Sequence, residues 1–91
     1  MSLAWVVEYD PRALKDLRKL GRTAQSKILD YMDDRVVNAD DPRQSGKPLR
    51  GSLFKLWRYR VGDYRIICEI QDNRMVVLVV GAGHRSSVYK V

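Results

Sequence analysis

The sequence predicts an α+β domain in the order β-α-α-β-β-β, a helical hairpin packed on a largely antiparallel sheet. Three observations carry this. Apolar residues recur at helical spacing between Pro11 and Val36, alternate with polar ones between Phe54 and Ile70, and run unbroken from Met75 to Val80. The 91 residues read as one domain over positions 1–91, and a hydrophobic content of 45% is enough for a core that needs no metal or disulfide.

The first strand is Ala4 to Tyr9, rich in β-branched and aromatic residues and ended by Asp10-Pro11. Asp10 is placed to cap a helix. Proline suits the first helical position, Leu14, Leu17 and Leu20 recur every third residue, and Gly21 supplies the stop, so the helix spans Pro11 to Leu20. Its Arg12, Lys15, Arg18 and Lys19 read as a solvated face. Thr23 is the expected cap of a second helix carrying Ala24, Ile28, Tyr31, Met32, Arg35 and Val36 at helical spacing, with Asp30, Asp33 and Asp34 toward its carboxyl end. Asn38 to Ser52, with its prolines and glycines, is expected to be a long connection back to the sheet. In it, Arg50 either pairs with the aspartates of the second helix or meets phosphate, and Arg43 and Lys47 are expected at the entrance to a basic hairpin.

That hairpin turns at Gly62-Asp63. Because alternate side chains of a strand share a face, Trp57, Tyr59 and Val61 fall on one side and Leu56, Arg58 and Arg60 on the other. The return strand puts Tyr64, Ile66, Cys68 and Ile70 in the packing phase and lets Arg65 join Arg58 and Arg60. Three guanidiniums on one sheet face point to phosphate. Trp57, Tyr59, Tyr64, Trp5 and Tyr9 are expected in the core, as is Cys68, the lone cysteine, which has no partner for an internal disulfide. Asp72-Asn73 makes a second turn, Met75 to Val80 reads as a central strand covered on both faces, and Gly81-Ala82-Gly83 permits close backbone approach.

The net charge of +6 is unevenly divided. Residues 1–42 hold 7 basic and 8 acidic groups, whereas residues 43–91 hold 10 basic and 3 acidic ones. A surplus of +7 in one half argues for a polyanion or an acidic protein as partner. No apolar run of about 18 residues and no charged-then-apolar amino end is present, so neither a membrane span nor a signal peptide is expected, and a cytoplasmic protein is.

Lys47-Pro48-Leu49-Arg50-Gly51, then Trp57 through Ile67, then Gly83-His84-Arg85 followed by Val88-Tyr89, together resemble the RelE/ParE toxin superfamily. Tyr9-Asp10-Pro11, Ala13-Leu14-Lys15 and Leu17 through Gly21 resemble its opening. The resemblance implies a toxin paired with a RelB-like antitoxin. One branch of the superfamily cuts messenger RNA on the ribosome and the other poisons DNA gyrase; a domain that only binds, or an inactive toxin homologue, is the third reading. RelE-type cleavage implies attack of the RNA's 2′-hydroxyl on the adjacent phosphate, without metal or cofactor.

On that resemblance Arg58 and Arg65 clamp the scissile phosphate, Arg85 stabilises the charged transition state or protonates the leaving oxygen, and Tyr89 stacks on or orients a base. Arg60, Lys55, Lys47 and Arg50 are the further RNA-binding candidates, with Lys55 expected at the rim of the sheet. The chain departs from some RNA-cleaving relatives, which carry lysines where Leu56 and Arg58 stand. Arginine stays protonated and is a poor base, which leaves His84 as the side chain that titrates near neutrality, with Tyr89 or Lys55 as substitutes. A hydrogen bond from His84 that seats the carboxyl tail is the alternative role.

Overall fold

Among the described residues all but one of the strands lie downstream of both helices, so the chain lays down one strand, crosses through the helical hairpin and builds the rest of the sheet from its far edge inward. The computed structural model describes residues 4–50 and 55–84. Its elements are β1 (Val6–Tyr9), α1 (Pro11–Leu20), α2 (Arg22–Tyr31), β2 (Lys47–Pro48), β3 (Trp57–Val61), β4 (Tyr64–Gln71) and β5 (Val76–His84), in one sheet of order β1-β5-β4-β3-β2. β1 runs parallel to β5, with Val6 opposite Val76 and Tyr9 opposite Val79. The other three pairings are antiparallel, as the sequence predicts.

Asp10 caps α1 as expected, its Oδ1 accepting the Arg12 amide at 2.9 Å. The Arg12 side chain bonds the same oxygen and holds the Asp10 carboxyl below the usual carboxylate range. The buried stripe of α1 differs from the leucine repeat: Ala13 and Leu17 are buried, whereas Leu14 is 42% exposed. Three-residue spacing drifts around a helix of 3.6 residues per turn, so Leu14 and Leu20 cannot both lie at the centre of one face.

Thr23 does not cap α2. Gly21, at φ +87°, ends one helix and stands at the N-cap of the next, and its carbonyl accepts the Gln25 amide at 3.1 Å. A backbone angle open to glycine lets one residue serve both helices, so the second begins one position before the threonine. Beyond Tyr31 the helix widens into a π turn over Met32–Val36, closed by the Val37 amide on the Met32 carbonyl at 3.0 Å. Met32 and Val36 are both fully buried there, each side chain contributing about 1.5–3 kcal/mol by leaving water.

The expected long connection carries structure of its own. Asp41 caps a 3-10 turn at Pro42–Gln44, and β2 then pairs Lys47 with Arg58 and Pro48 with Trp57. Two core aromatics hold this segment by their polar ends: the Tyr59 hydroxyl donates to the Pro42 carbonyl and the Trp57 indole to the Ser45 carbonyl, each at 2.7 Å. Burial pushes the Tyr59 hydroxyl pKa up, so it remains a donor. Gly46, at φ +78°, passes so close to β3 that an added Cβ would overlap the Arg58 carbonyl and lie 2.6 Å from the Trp57 indole nitrogen.

The helices cover one face of the sheet. Tyr59, Ile66, Cys68, Val77, Val79 and Ala82 pack there against Ala13, Leu17, Ile28, Met32 and Val36, with Trp5, Tyr9, Trp57 and Tyr64 around them. The hairpin turn has Gly62 at φ +59° and Asp63 at negative φ, the II′ pattern that suits the twist of two paired strands. The second turn runs through Met75, which takes φ 52°, so β5 starts one residue later than the apolar run.

β5 is central, paired on both sides, and it continues through Gly81-Ala82-Gly83 to His84. Its outward face is only partly covered, with Leu78 and Val80 half-buried. A bulge puts Ile67 opposite Gly81 but Cys68 opposite Val79, so the helix-facing phase changes from Val77 and Val79 to Ala82 and His84. Asp16 of α1 meets the strand just past the bulge, its Oδ2 accepting the Ala82 amide at 3.1 Å.

Candidate nucleic-acid interface

The face of the sheet turned away from the helices carries the arginines. Arg58 and Arg60 alternate with the buried Tyr59 on β3, and the register sets Arg58 opposite Ile67 and Arg60 opposite Arg65. Cross-strand partners share a face, so all three guanidinium stems rise from one side, as the alternation predicts. On its other flank Arg65 faces Gly83 of β5, which offers no side chain to shield or pair with it.

Arg65 is half-buried, and its Nη1 is buried without a hydrogen-bond partner among the described residues. A buried donor left unpaired costs about 1–3 kcal/mol, more when charged, and a second cation directly opposite adds repulsion. An anion over the Arg60–Arg65 pair would offset the repulsion between the two cations. That is the electrostatic signature of the site.

The pairing of β2 with β3 extends this surface to the sheet edge. Lys47, Leu49, Arg50, Pro48 and Arg58 line a recess of about 420 Å³, and Lys47 and Arg58 also line a second one of about 220 Å³ with Tyr31, Gly46 and Arg60. Lys47 and Arg50 thus adjoin the arginine strand. Lys55, exposed ahead of β3, lies in a different recess with Arg43, Trp57 and Glu69, at the end of the sheet away from the Gly62 turn. Arg43 does not extend the basic surface: it grips Asp72 of the β4–β5 turn through two bonds of 2.9 and 2.8 Å.

His84 is not brought to the arginines. It is exposed, opposite Tyr64 in register, and its ring meets the Tyr64 ring edge-on at 5.9 Å between centroids. Tyr64 packs against the helix-side core, so the phase that the bulge imposes carries His84 to the other side of the sheet from Arg65. Arg85 and Tyr89 lie outside the described residues. Cys68 is buried with its thiol pKa pushed up, the behaviour of a core residue and not of a nucleophile.

Sequence reasoning missed Tyr31 as a surface residue of this region and Asp16 as the clamp on β5. The signal for Asp16 was an acid between the core positions Ala13 and Leu17. For Tyr31 no local signal exists, because its helical spacing is that of a core residue and only the passage of Gly46 and Lys47 beside it forms the recess.

The architecture defines a small α+β protein with a cation-lined sheet face and edge. The family described as the ParE toxin of type II toxin–antitoxin systems matches residues 7–89. The mRNA interferase toxin RelE of Escherichia coli is 33% identical, over 96% of this chain and 92% of that protein. Toxin RelG of Mycobacterium tuberculosis is 26% identical over 97% of this chain and 99% of that one. Among solved structures, the toxin–antitoxin complex RelBE2 of Mycobacterium tuberculosis superposes with a TM-score of 0.82 at 26% identity, covering 91% of this chain and 100% of that chain. A mutant of Escherichia coli toxin RelE in the free state gives a TM-score of 0.74 at 28% identity, covering 93% and 88%. The chain belongs to the RelE/ParE family of toxins of type II toxin–antitoxin systems.

Proposed function

We propose that this toxin is an endoribonuclease that cuts messenger RNA on the ribosome. The carrying observation is the Arg60–Arg65 pair, two cations in register on one sheet face beside Arg58, a charge density that a backbone phosphate would offset. The relatives named mRNA interferase support the reading. In the reaction the 2′-oxygen attacks the neighbouring phosphorus, the bond from phosphorus to the 5′-oxygen breaks, and a cyclic phosphate and a 5′-hydroxyl result. One proton leaves the 2′-oxygen and one is delivered to the 5′-oxygen.

Arg58, Arg60 and Arg65 orient the phosphate and neutralise the charge that develops on it, the effect that dominates such catalysis. No step is assigned to a metal or cofactor. The proton transfers fall to Arg85 and Tyr89 or to the ribosome rather than to His84, which stands on the other face. The natural partner is a RelB-like antitoxin, as in the complexes of similar toxins, with an acidic segment covering the +7 half of the chain. A messenger RNA substrate and such a partner are both met in the cytoplasm, the compartment proposed for the toxin.

Induction of the toxin in growing cells, followed by gel analysis of messenger RNA, tests the proposal. Discrete cleavage products that disappear with Arg65→Ala are expected. Intact messenger RNA, together with inhibition of gyrase supercoiling by the purified protein, would replace it with the gyrase reading. Inactivity in both assays would leave a binding-only domain.

A further inference from the structure

The two recesses at the sheet edge share Lys47 and Arg58 and so adjoin along β3, and an aromatic side chain lines the groove that the second one forms. Tyr31 closes α2, is half-buried, and leans on Tyr59 with ring centroids 6.1 Å apart at 58°. Tyr59 thereby braces one side of the ring from the core, while the remainder lines the groove beside Lys47, Arg58 and Arg60. Gly46, also in the groove wall, runs so close to β3 that it cannot gain a side chain without striking that strand. β2 pairs only with Trp57 and Arg58, so among the described residues no strand covers the outer side of β3 from Tyr59 to Val61.

Cations that follow a strand edge, with a braced aromatic among them, are what a single-stranded polynucleotide needs: phosphates along the charges and a base on the ring. We infer that Tyr31 is a base-stacking residue, and that single-stranded RNA runs from the Arg58–Arg65 face across the β3 edge to it. The inference deepens the proposed endoribonuclease reading and rests on RNA being the substrate. On its far side Tyr31 borders a further recess where Asp30 and Asp34 stand among Lys27, Arg35 and Arg60, a mixed lining in contrast to the purely basic one beside Lys47 and Arg58. A merely structural Tyr31 would fill the same space against Tyr59 without regard to what lies in the groove.

The test is binding of a fluorescently labelled single-stranded oligoribonucleotide to the full chain at low salt, measured by anisotropy beside a thermal melt. Tyr31→Leu keeps the apolar packing and is expected to weaken binding roughly 5- to 150-fold. Tyr31→Phe keeps the ring and is expected to bind as the parent does. With an abasic sugar-phosphate strand the parent and Tyr31→Leu are expected to bind alike. Tyr31→Leu binding at parent strength, an equal loss on the abasic strand, or no RNA binding by the parent would each overturn the inference. Messenger RNA cleavage by the parent is scored separately, on programmed ribosomes. Cleavage with no stacking signature sinks Tyr31 alone, and a stacking signature without cleavage sinks the nuclease reading alone.

Discussion

Arg60 of β3 and Arg65 of β4 stand directly opposite each other across the hairpin, two permanent cations in register on the same sheet face. Like charges so placed destabilise a sheet, and one of these guanidiniums also holds a buried nitrogen without an acceptor among the described residues. The pair therefore costs the fold stability, and the proposed binding of phosphate would offset that cost.

Removing one member therefore separates function from stability. Arg65→Met, which keeps the stem that packs on the sheet, is expected to leave the melting temperature equal or raised while cutting messenger RNA cleavage by about 100-fold or more, roughly the 3 kcal/mol of a lost transition-state donor. Calorimetry and single-turnover cleavage on programmed ribosomes measure the two arms. A variant that unfolds would show that the arginine holds the sheet together.

His84 leads to the opposite expectation. Beside Tyr64 and across the sheet from Arg65, it is out of place for a proton transfer at the phosphate. His84→Gln is expected to retain cleavage within about 10-fold, less than the loss typical of a missing general base. The rate is also expected to show no rise through about pH 6.5, where an imidazole base would deprotonate. A deep loss with such a rise in the parent would restore the histidine as base.

Gly46 tests the seam between connection and sheet. Gly46→Ala has to displace backbone at Arg58 and also take a left-handed φ, so a cost of roughly 3 kcal/mol or more is expected. Urea unfolding reads it directly. Gly62→Ala has open space around its Cβ and only the φ penalty to meet, so it is expected to cost less.

The Arg43–Asp72 pair predicts a pH dependence. Arg43 lowers the Asp72 pKa in the folded chain, so the unfolded state binds the proton more readily. The pair's stabilisation is thus fully present above the unfolded carboxylate pKa of about 3.9 and is lost as pH falls through the lower folded value. Both side chains are substantially exposed, which limits the contribution to about 1 kcal/mol or less. Asp72→Asn is expected to lower the urea midpoint slightly and evenly from pH 5 to 8, with the difference vanishing near pH 2–3. A difference that persisted in acid would assign the effect to the turn and not to the charge.

The sequence by itself determined the elements whose signals are local. Helical period, the Asp10-Pro11 cap, strand alternation and the Gly62-Asp63 turn each depend on neighbours within a few residues, and they placed both helices, the hairpin and the common face of Arg58, Arg60 and Arg65. Only the tertiary structure decided where distant segments meet. A bulge between Ile67 and Cys68 moved His84 to the helix side, because one extra residue reverses every side chain beyond it. The attraction of Asp72 took Arg43 out of the basic surface, and hydrogen bonds from Trp57 and Tyr59 folded the connection against β3, making a groove beside Tyr31. Such placements depend on partners 12 to 29 residues away, selected by packing and charge in the assembled core, and no pattern within a window of the chain encodes them.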